Sequence, residues 1–411
     1  MKKQWLVLLA CLCTSTISAC DFRWNKESSS EEVHTHEWDN GLITTQPTCE
    51  EKGVKTFSCD CGESYTEEVS ALGHDYQNDT CLVCGYTRAV SQGLEYGLND
   101  DGMSYSVVGL GSCTDTDLVI PSAYNDLPVT CIGSEAFFEC NSLINVEIGD
   151  SVTSVGDIAF ALCDALRNVV IGKSLISIGE APFGVCKSLI SITVSKDNES
   201  YQSIDGNLYS KDGKTLIQYA TGKTDTSFII PDSVTSIGSY AFSGCTSLTS
   251  VEIPNSVTSI GDWAFTGCTS LTSVEIPDSV TSIGTGAFEE CSSLISVEIP
   301  DSVTSIAAHA FYSCTSLTSV VIPDLVTCIG DFAFASCDVL REVVIPNLVT
   351  SIGEGAFVDC PLLAMVYYNG TAEEWGKLSI RGGNNFKKVY YYSETETSGC
   401  WRYVDGVPTA W

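Results

Sequence analysis

The sequence predicts an α/β-type solenoid. Its 23-residue coils are rich in β-strand, each carries a short helical turn, and a small cysteine–histidine module precedes them. Two observations carry the solenoid. Phenylalanine recurs at 137, 160, 183, 242, 265, 288, 311, 334 and 357, and each has a cysteine three residues on. Between them runs a recurring L-x-x-V-x-I-P-[DN]-x-V-T-x-I-G phrase, as at residues 271–284. One such unit cannot bury its own Leu, Val, Ile and Phe, whereas stacked copies bury them in one column, so a fixed period outranks local signals. A third observation sets residues 34–88 apart: two close cysteine pairs lie there among three of the chain's four histidines.

The N-terminus reads MKKQWLVLLACLCTSTISAC. Lys2 and Lys3 supply positive charge, residues 5–12 an apolar stretch, and Ile17-Ser18-Ala19-Cys20 a small-residue cleavage site. That tetrapeptide resembles the lipobox of bacterial lipoproteins. The resemblance implies a signal peptide over 1–19 and an acylated Cys20, followed by a polar linker to residue 33. Several acyl chains on one cysteine would anchor the chain to a membrane, at about 0.8 kcal/mol per buried CH₂. The alternative is an ordinary secretory signal cut near Ala19, with Cys20 unmodified. Both readings export the protein.

Composition excludes other classes. The 52 acidic residues against 20 basic give a net charge of -32. A surface this acidic repels phosphate backbones, so no nucleic-acid partner is expected, and it suits basic partners or divalent cations. Four histidines give general acid–base chemistry little to work with.

In the module, Cys59-Asp60-Cys61-Gly62 and Cys81-Leu82-Val83-Cys84-Gly85 read as knuckle-like turns, the glycine letting amides turn toward thiolates. The segment holds too little apolar residue to fold by burial alone and needs a staple. The expectation is one structural zinc in a zinc-ribbon-like site of Cys59, Cys61, Cys81 and Cys84 with His74. Cys49, His34 and His36 are alternative ligands, and disulfides or free thiols are the competing states. The phrases C-x-x-x-G-x-K-x-x-x-C and G-H-x-Y…C-x-x-C-G resemble a short module found beside surface repeats in anaerobic bacteria.

Within a coil, Leu271, Val274 and Ile276 give a short strand with its apolar side inward. Pro277 stops it, and Asp278 suits the following turn. Val280 and Ile283 make a second inward pair, Gly284 a flexible corner, and Ala287-Phe288 open a short helical turn. At about 4.8 Å per rung, nine coils build a body on the order of 45 Å long. Residues 89–135 read as an N-terminal cap and 136–194 as the first repeats. Residues 195–227 form an insertion with two turn signals, expected to project as hairpins. Repeats resume over 228–365, a C-terminal cap follows over 366–392, and the tail 393–411 has no assignable role. Tyr201, Tyr209 and Tyr219 of the insertion either form a recognition surface or pack on the adjacent coil.

These repeated phrases resemble the BspA-type leucine-rich repeat over about residues 90–392. The resemblance implies a right-handed superhelical fold and a secreted or surface bacterial protein, active in adhesion and in binding host or matrix ligands.

The in-phase cysteines are expected to be reduced core thiols. A straight column of single cysteines cannot converge on a tetrahedral zinc, and no histidine recurs beside them. The outward residues of each first strand form a concave face, expected to bind ligand through Ser250, Glu252, Ser273, Glu275, Ser296, Glu298, Val321 and Val344. A solvated face copied by duplication is the bland alternative. No nucleophile elbow, zinc-protease or phosphate-loop motif occurs, so no enzyme is expected. The sequence thus points to an exported, monomeric surface lipoprotein binding a protein or glycan, the alternative being an envelope component without a specific ligand.

Overall fold

The computed structural model describes residues 35–411 apart from Gly73, Asp75, Asn78, Asn385, Asp405 and Gly406. The expected signal peptide, Cys20 and His34 lie outside the described residues. Two compact units result, one within Met1–Gly73 and one comprising His74–Trp411. The boundary runs through the 34–88 segment, so Cys81 and Cys84 fold with the repeats.

The first unit is an antiparallel sheet of Leu42–Thr45, Gly53–Ser58 and Ser64–Val69. Its only buried apolar side chains among the described residues are Cys49 and Cys59.

In the second unit each coil has three sides. The first is a strand such as Ser273–Glu275, parallel and in register with Ser250–Glu252 and Ser296–Glu298. The second is a two-residue strand such as Ser282–Ile283, paired to Ser259–Ile260. The third, expected as a helical turn around Ala-Phe-x-x-Cys, is instead a run of tight turns. Its amides alternate in where they donate. Phe265 and Gly267 reach Ala287 and Glu289 of the next coil at 2.8 Å, while Thr266 and Cys268 close locally on Trp263 and Phe265 at 3.2 Å. A helix would spend every amide within its own coil; alternation ties neighbouring coils together. This geometry places two residues per coil in the left-handed region, for example Trp263 and Gly267, or His309 and Ser313. The one α-helix among the described residues is Ala372–Trp375 in the C-terminal cap, with a capping box between Thr371 and Glu374.

The inward residues fill the column between the three sides. Phe242, Phe265, Phe288, Phe311, Phe334 and Phe357 stack face to face with centroids 4.7 to 5.5 Å apart. Burial of each ring contributes about 2 kcal/mol, and the rings add offset-stacking attraction. Gly284 is required for close approach rather than for a flexible corner. A Cβ there would meet the backbone N of Asp262 at 2.6 Å and the carbonyl carbon of Gly261 at 2.6 Å.

At the equivalent position of the next coil stands Ala307, and there the ladders break. Ser282–Ile283 does not pair with Ser305–Ile306, nor Ser296–Glu298 with Ser319–Val321, although both sheets continue on either side. Thr281 and Gly284 donate backward to Thr258 and Ile260, and Thr327 and Gly330 to Thr304 and Ile306. Thr304 and Ala307 make no equivalent bond. The turn side stays joined across the break, through Phe288 N to Ala310 O at 2.9 Å. The first-strand side also keeps one amide bond, Thr318 N to Ile295 O at 3.2 Å, so the gap is centred on the corner where Ala307 replaces glycine.

The insertion does not project. Tyr201–Ile204, Asn207–Ser210 and Thr215–Gln218 form an antiparallel meander whose last strand pairs in parallel with Ser236–Ile237. Its residues alternate faces: Leu208 and Ala220 pack into the N-terminal core, Tyr209, Leu216 and Tyr219 into the C-terminal one. Tyr209 and Tyr219 are buried, so they serve packing rather than recognition. At the N-terminal end of the array Glu95–Leu98 pairs antiparallel with Tyr105–Gly109. At the other end Cys400–Val404 and Val407–Ala410 form an antiparallel hairpin.

Candidate functional site

Backbone pairing sets Ser250, Ser273 and Ser296 opposite one another, and likewise Glu252, Glu275 and Glu298. All six are exposed. Period-2 alternation does this: with Val251, Val274 and Val297 buried, the flanking residues must point outward. Beside the glutamates runs a groove of about 480 Å³ whose walls include Glu252, Glu275, Glu298, Asn255, Asp278 and Asp301. The I-P-[DN] phrase therefore contributes a second row, Asn255, Asp278 and Asp301, two of whose three members are acidic, spaced three residues after each glutamate. Among the described residues, no Lys or Arg forms an ion pair with these groups. Adjacent carboxylates one rung apart repel by about 1 kcal/mol or less in water, a load the register of the ladder carries. Ile229, 69% exposed and paired with Glu252, extends the face at one end.

At the other end Val321 is exposed, but Val344 is not. Expected as a ligand contact, Val344 lies in a separate apolar cluster with Tyr367, Tyr390 and Trp401. The C-terminal hairpin causes this. Trp401 is fully buried, packs 5.2 Å from Tyr367 and donates its indole N–H to the Tyr368 carbonyl at 2.9 Å. The tail thus folds onto the outward face of its own sheet and removes Val344 from solvent. Glu298 and Val321 are also not joined by a ladder.

The repeat cysteines face the core. Cys268, Cys291, Cys314, Cys337 and Cys360 each donate an S–H to the carbonyl of the preceding coil's phenylalanine, at 3.1 to 3.4 Å. The thiol is thus small, apolar and a donor aimed at a carbonyl that the turn ladder leaves with spare capacity, which explains a cysteine better than an alanine. Burial pushes the Cys314 thiol up to about 12, and raises those of Cys245 and Cys291 well above the ordinary value.

The module's ligand candidates gather into two groups. In the first, the turn joining Gly53–Ser58 to Ser64–Val69 presents Cys59 and Cys61. An isolated bridge from Trp38 to Cys59 brings His36 beside them, its Nδ1 3.2 Å from Cys61 Sγ. In the second, the Tyr76–Gln77 and Thr80–Cys81 hairpin sets His74 next to Cys81 and Cys84, with Nδ1 3.3 Å from Cys84 Sγ. Each set has its ligand atoms within 4.8 Å of one another and could hold a metal ion. Local strand pairing thus gives each cysteine pair a histidine of its own, and His36 is drawn in where the sequence placed it among the alternatives. The second turn is locked to the repeats by buried Arg88, which pairs with Asp79 at 2.9 Å and with Glu147. Asp79 in turn accepts from the Ser122 hydroxyl at 2.8 Å.

The fold and its exposed faces define a β-solenoid repeat protein with almost no helix. The BspA type leucine rich repeat region matches in six copies, over residues 112–219, 217–324 and 304–399. The chain belongs to the BspA-type leucine-rich repeat family. No curated protein matches it. Among solved structures, a leucine-rich repeat protein from Eubacterium ventriosum is 24% identical with a TM-score of 0.54, covering 75% of this chain and 97% of its own. A leucine rich cell surface protein from Faecalibacterium prausnitzii is 25% identical, with a TM-score of 0.38 and coverage of 71% and 98%. The pneumococcal vaccine antigen PcpA is 19% identical, with a TM-score of 0.46 and coverage of 86% and 94%. Among the described residues no helix is long and apolar enough to cross a membrane.

Proposed function

We propose that this chain is a non-catalytic surface-binding protein. It takes a protein or glycan ligand along the face of Ser250, Glu252, Ser273, Glu275, Ser296 and Glu298, with Val321 at one end. The observation that carries this reading is the register-locked row of exposed glutamates beside a groove whose second row is Asn255, Asp278 and Asp301, with no Lys or Arg among its described lining residues. Such a face favours a partner bearing positive charge, through steering and salt-sensitive association. Family membership supports a repeat-based binding role. Export and anchoring through Cys20 complete the reading and place the face at the cell surface, as a monomer.

The test is binding of the full-length chain to arrayed extracellular proteins and glycans at low and physiological ionic strength. Saturable binding that weakens with salt and is lost in a Glu252→Lys, Glu275→Lys, Glu298→Lys triple variant supports the reading. Binding that the triple variant leaves unchanged refutes this face as the site. We also read the cysteine–histidine groups as holders of a structural zinc. At least three nitrogen and sulfur ligands per group suit that ion, which would supply cross-linking rather than chemistry.

A further inference from the structure

We infer that the chain takes two zinc ions, not one: the first on His36, Cys59 and Cys61, the second on His74, Cys81 and Cys84. The inference rests on the structural-zinc reading above and deepens it by number and by ligand.

The two groups repeat one construction from different strands. Each has two cysteines in a turn closed by a left-handed glycine. Gly62, at φ 93°, donates to the Cys59 carbonyl at 2.8 Å, and Gly85, at φ 73°, donates to the Cys81 carbonyl at 2.9 Å. A Cβ at either glycine would meet nothing within 4 Å, so it is the backbone conformation that asks for glycine. Each has one histidine whose Nδ1 faces the second sulfur, at 3.2 and 3.3 Å. Tetrahedral zinc, with about 2.3 Å to sulfur and about 2.0 Å to nitrogen, sets such atoms about 3.5 Å apart, so little movement admits the ion. Both imidazoles are held from the side by an aromatic ring. His36 stacks on Trp38 at 5.0 Å, and His74 packs on Tyr86 at 5.5 Å. Two thiolates also balance the charge of a divalent ion, and sulfur with imidazole selects zinc over calcium or magnesium.

The first unit supplies the energetic reason for an ion of its own. Among its described residues the buried apolar side chains are two cysteines, so hydrophobic burial there cannot offset the ordering of its sheet. A metal that binds only the folded turn supplies that free energy.

The experiment is native mass spectrometry and elemental analysis of the full-length chain, purified under reducing conditions and loaded with zinc. Two ions per chain are expected, with one lost in His36→Ala or Cys61→Ser and the other in His74→Ala or Cys84→Ser. His36→Cys should keep two ions, and in the cobalt-loaded chain should strengthen the thiolate-to-metal absorption band. A single ion, lost equally from the His36 and His74 variants, overturns the two-site inference and leaves a structural metal standing. No ion, with mass losses of paired hydrogens at the same cysteines, overturns both readings in favour of disulfides. Limited proteolysis of the first unit, protected only when ions are bound, separates ligand loss from general misfolding.

Discussion

Gly284 and Ala307 occupy the same corner of successive coils, and exchanging their residue types probes what holds the rungs together. Ala307→Gly removes the methyl at that corner. The coil can then recover the amide bonds that Thr304 and residue 307 would make to Thr281 and Ile283, by analogy with Thr281 and Gly284 one rung earlier. Two restored bonds contribute about 2 kcal/mol, and glycine's extra freedom in the unfolded chain costs about 1, leaving a net gain of about 1 kcal/mol. Gly284→Ala does the reverse. Its Cβ would lie 2.6 Å from the Asp262 backbone, so overpacking costs about 2 kcal/mol and loss of the bond to Ile260 about 1 more. Hydrogen–deuterium exchange by mass spectrometry is the local readout, with urea unfolding as the global one. Amides of residues 304–307 should gain protection in Ala307→Gly, and those of 281–284 should lose it in Gly284→Ala. Unchanged exchange in the first variant, with an unchanged urea midpoint in the second, would refute the steric account of the glycine column.

Other expectations follow from single features. Glu290 is exposed and sits at φ 58°, where Gly244 and Gly267 stand in other coils, so Glu290→Gly should stabilise by about 0.5–1 kcal/mol in urea unfolding. Arg88→Ala removes the counterion of Asp79, which keeps its bonds from Ser122, and of the part-exposed Glu147, and should cost about 2 kcal/mol, seen as early loss of exchange protection over residues 79–88 and 119–122. The folded-state pKa of Cys314 is raised, so its contribution is complete below pH 9 and is lost as pH climbs from about 9 toward 12. Cys314→Ser keeps a donor for the Phe288 carbonyl but does not titrate there. It should lose less stability in that window, by up to about 1.4 kcal/mol per pH unit, and equal alkaline slopes in the two proteins would contradict the burial argument.

Much of the array was legible in the sequence because its physics is local and repeated. Leu271, Val274, Ile276 and Phe288 have to face inward, and the period alone aligns each with its neighbours. What the sequence hid depends on contacts without a period. Ala287-Phe288 has the composition of a helix start, yet inter-coil amide bonding outweighs propensity and makes it a turn. Val344 obeys the outward alternation and is nonetheless buried, since Trp401, 57 residues on, folds over it. The two cysteine pairs look like one ribbon by spacing, but hairpin pairing assigns His36 to one and His74 to the other. The glutamate row was readable in full; the aspartates beside it were read only as turn formers.

A column of identical rungs is an open-ended polymer in principle, since each flat end offers the template for another parallel strand. Here one sheet at each end changes polarity: Glu95–Leu98 runs against its neighbour at one end, and Val407–Ala410 does so at the other. The latter strand also carries Pro408, which has no N–H to give. On that sheet a further strand meets a reversed edge short of one donor instead of a matching rung. At these two edges the hairpins withhold the parallel template that the interior rungs present to one another.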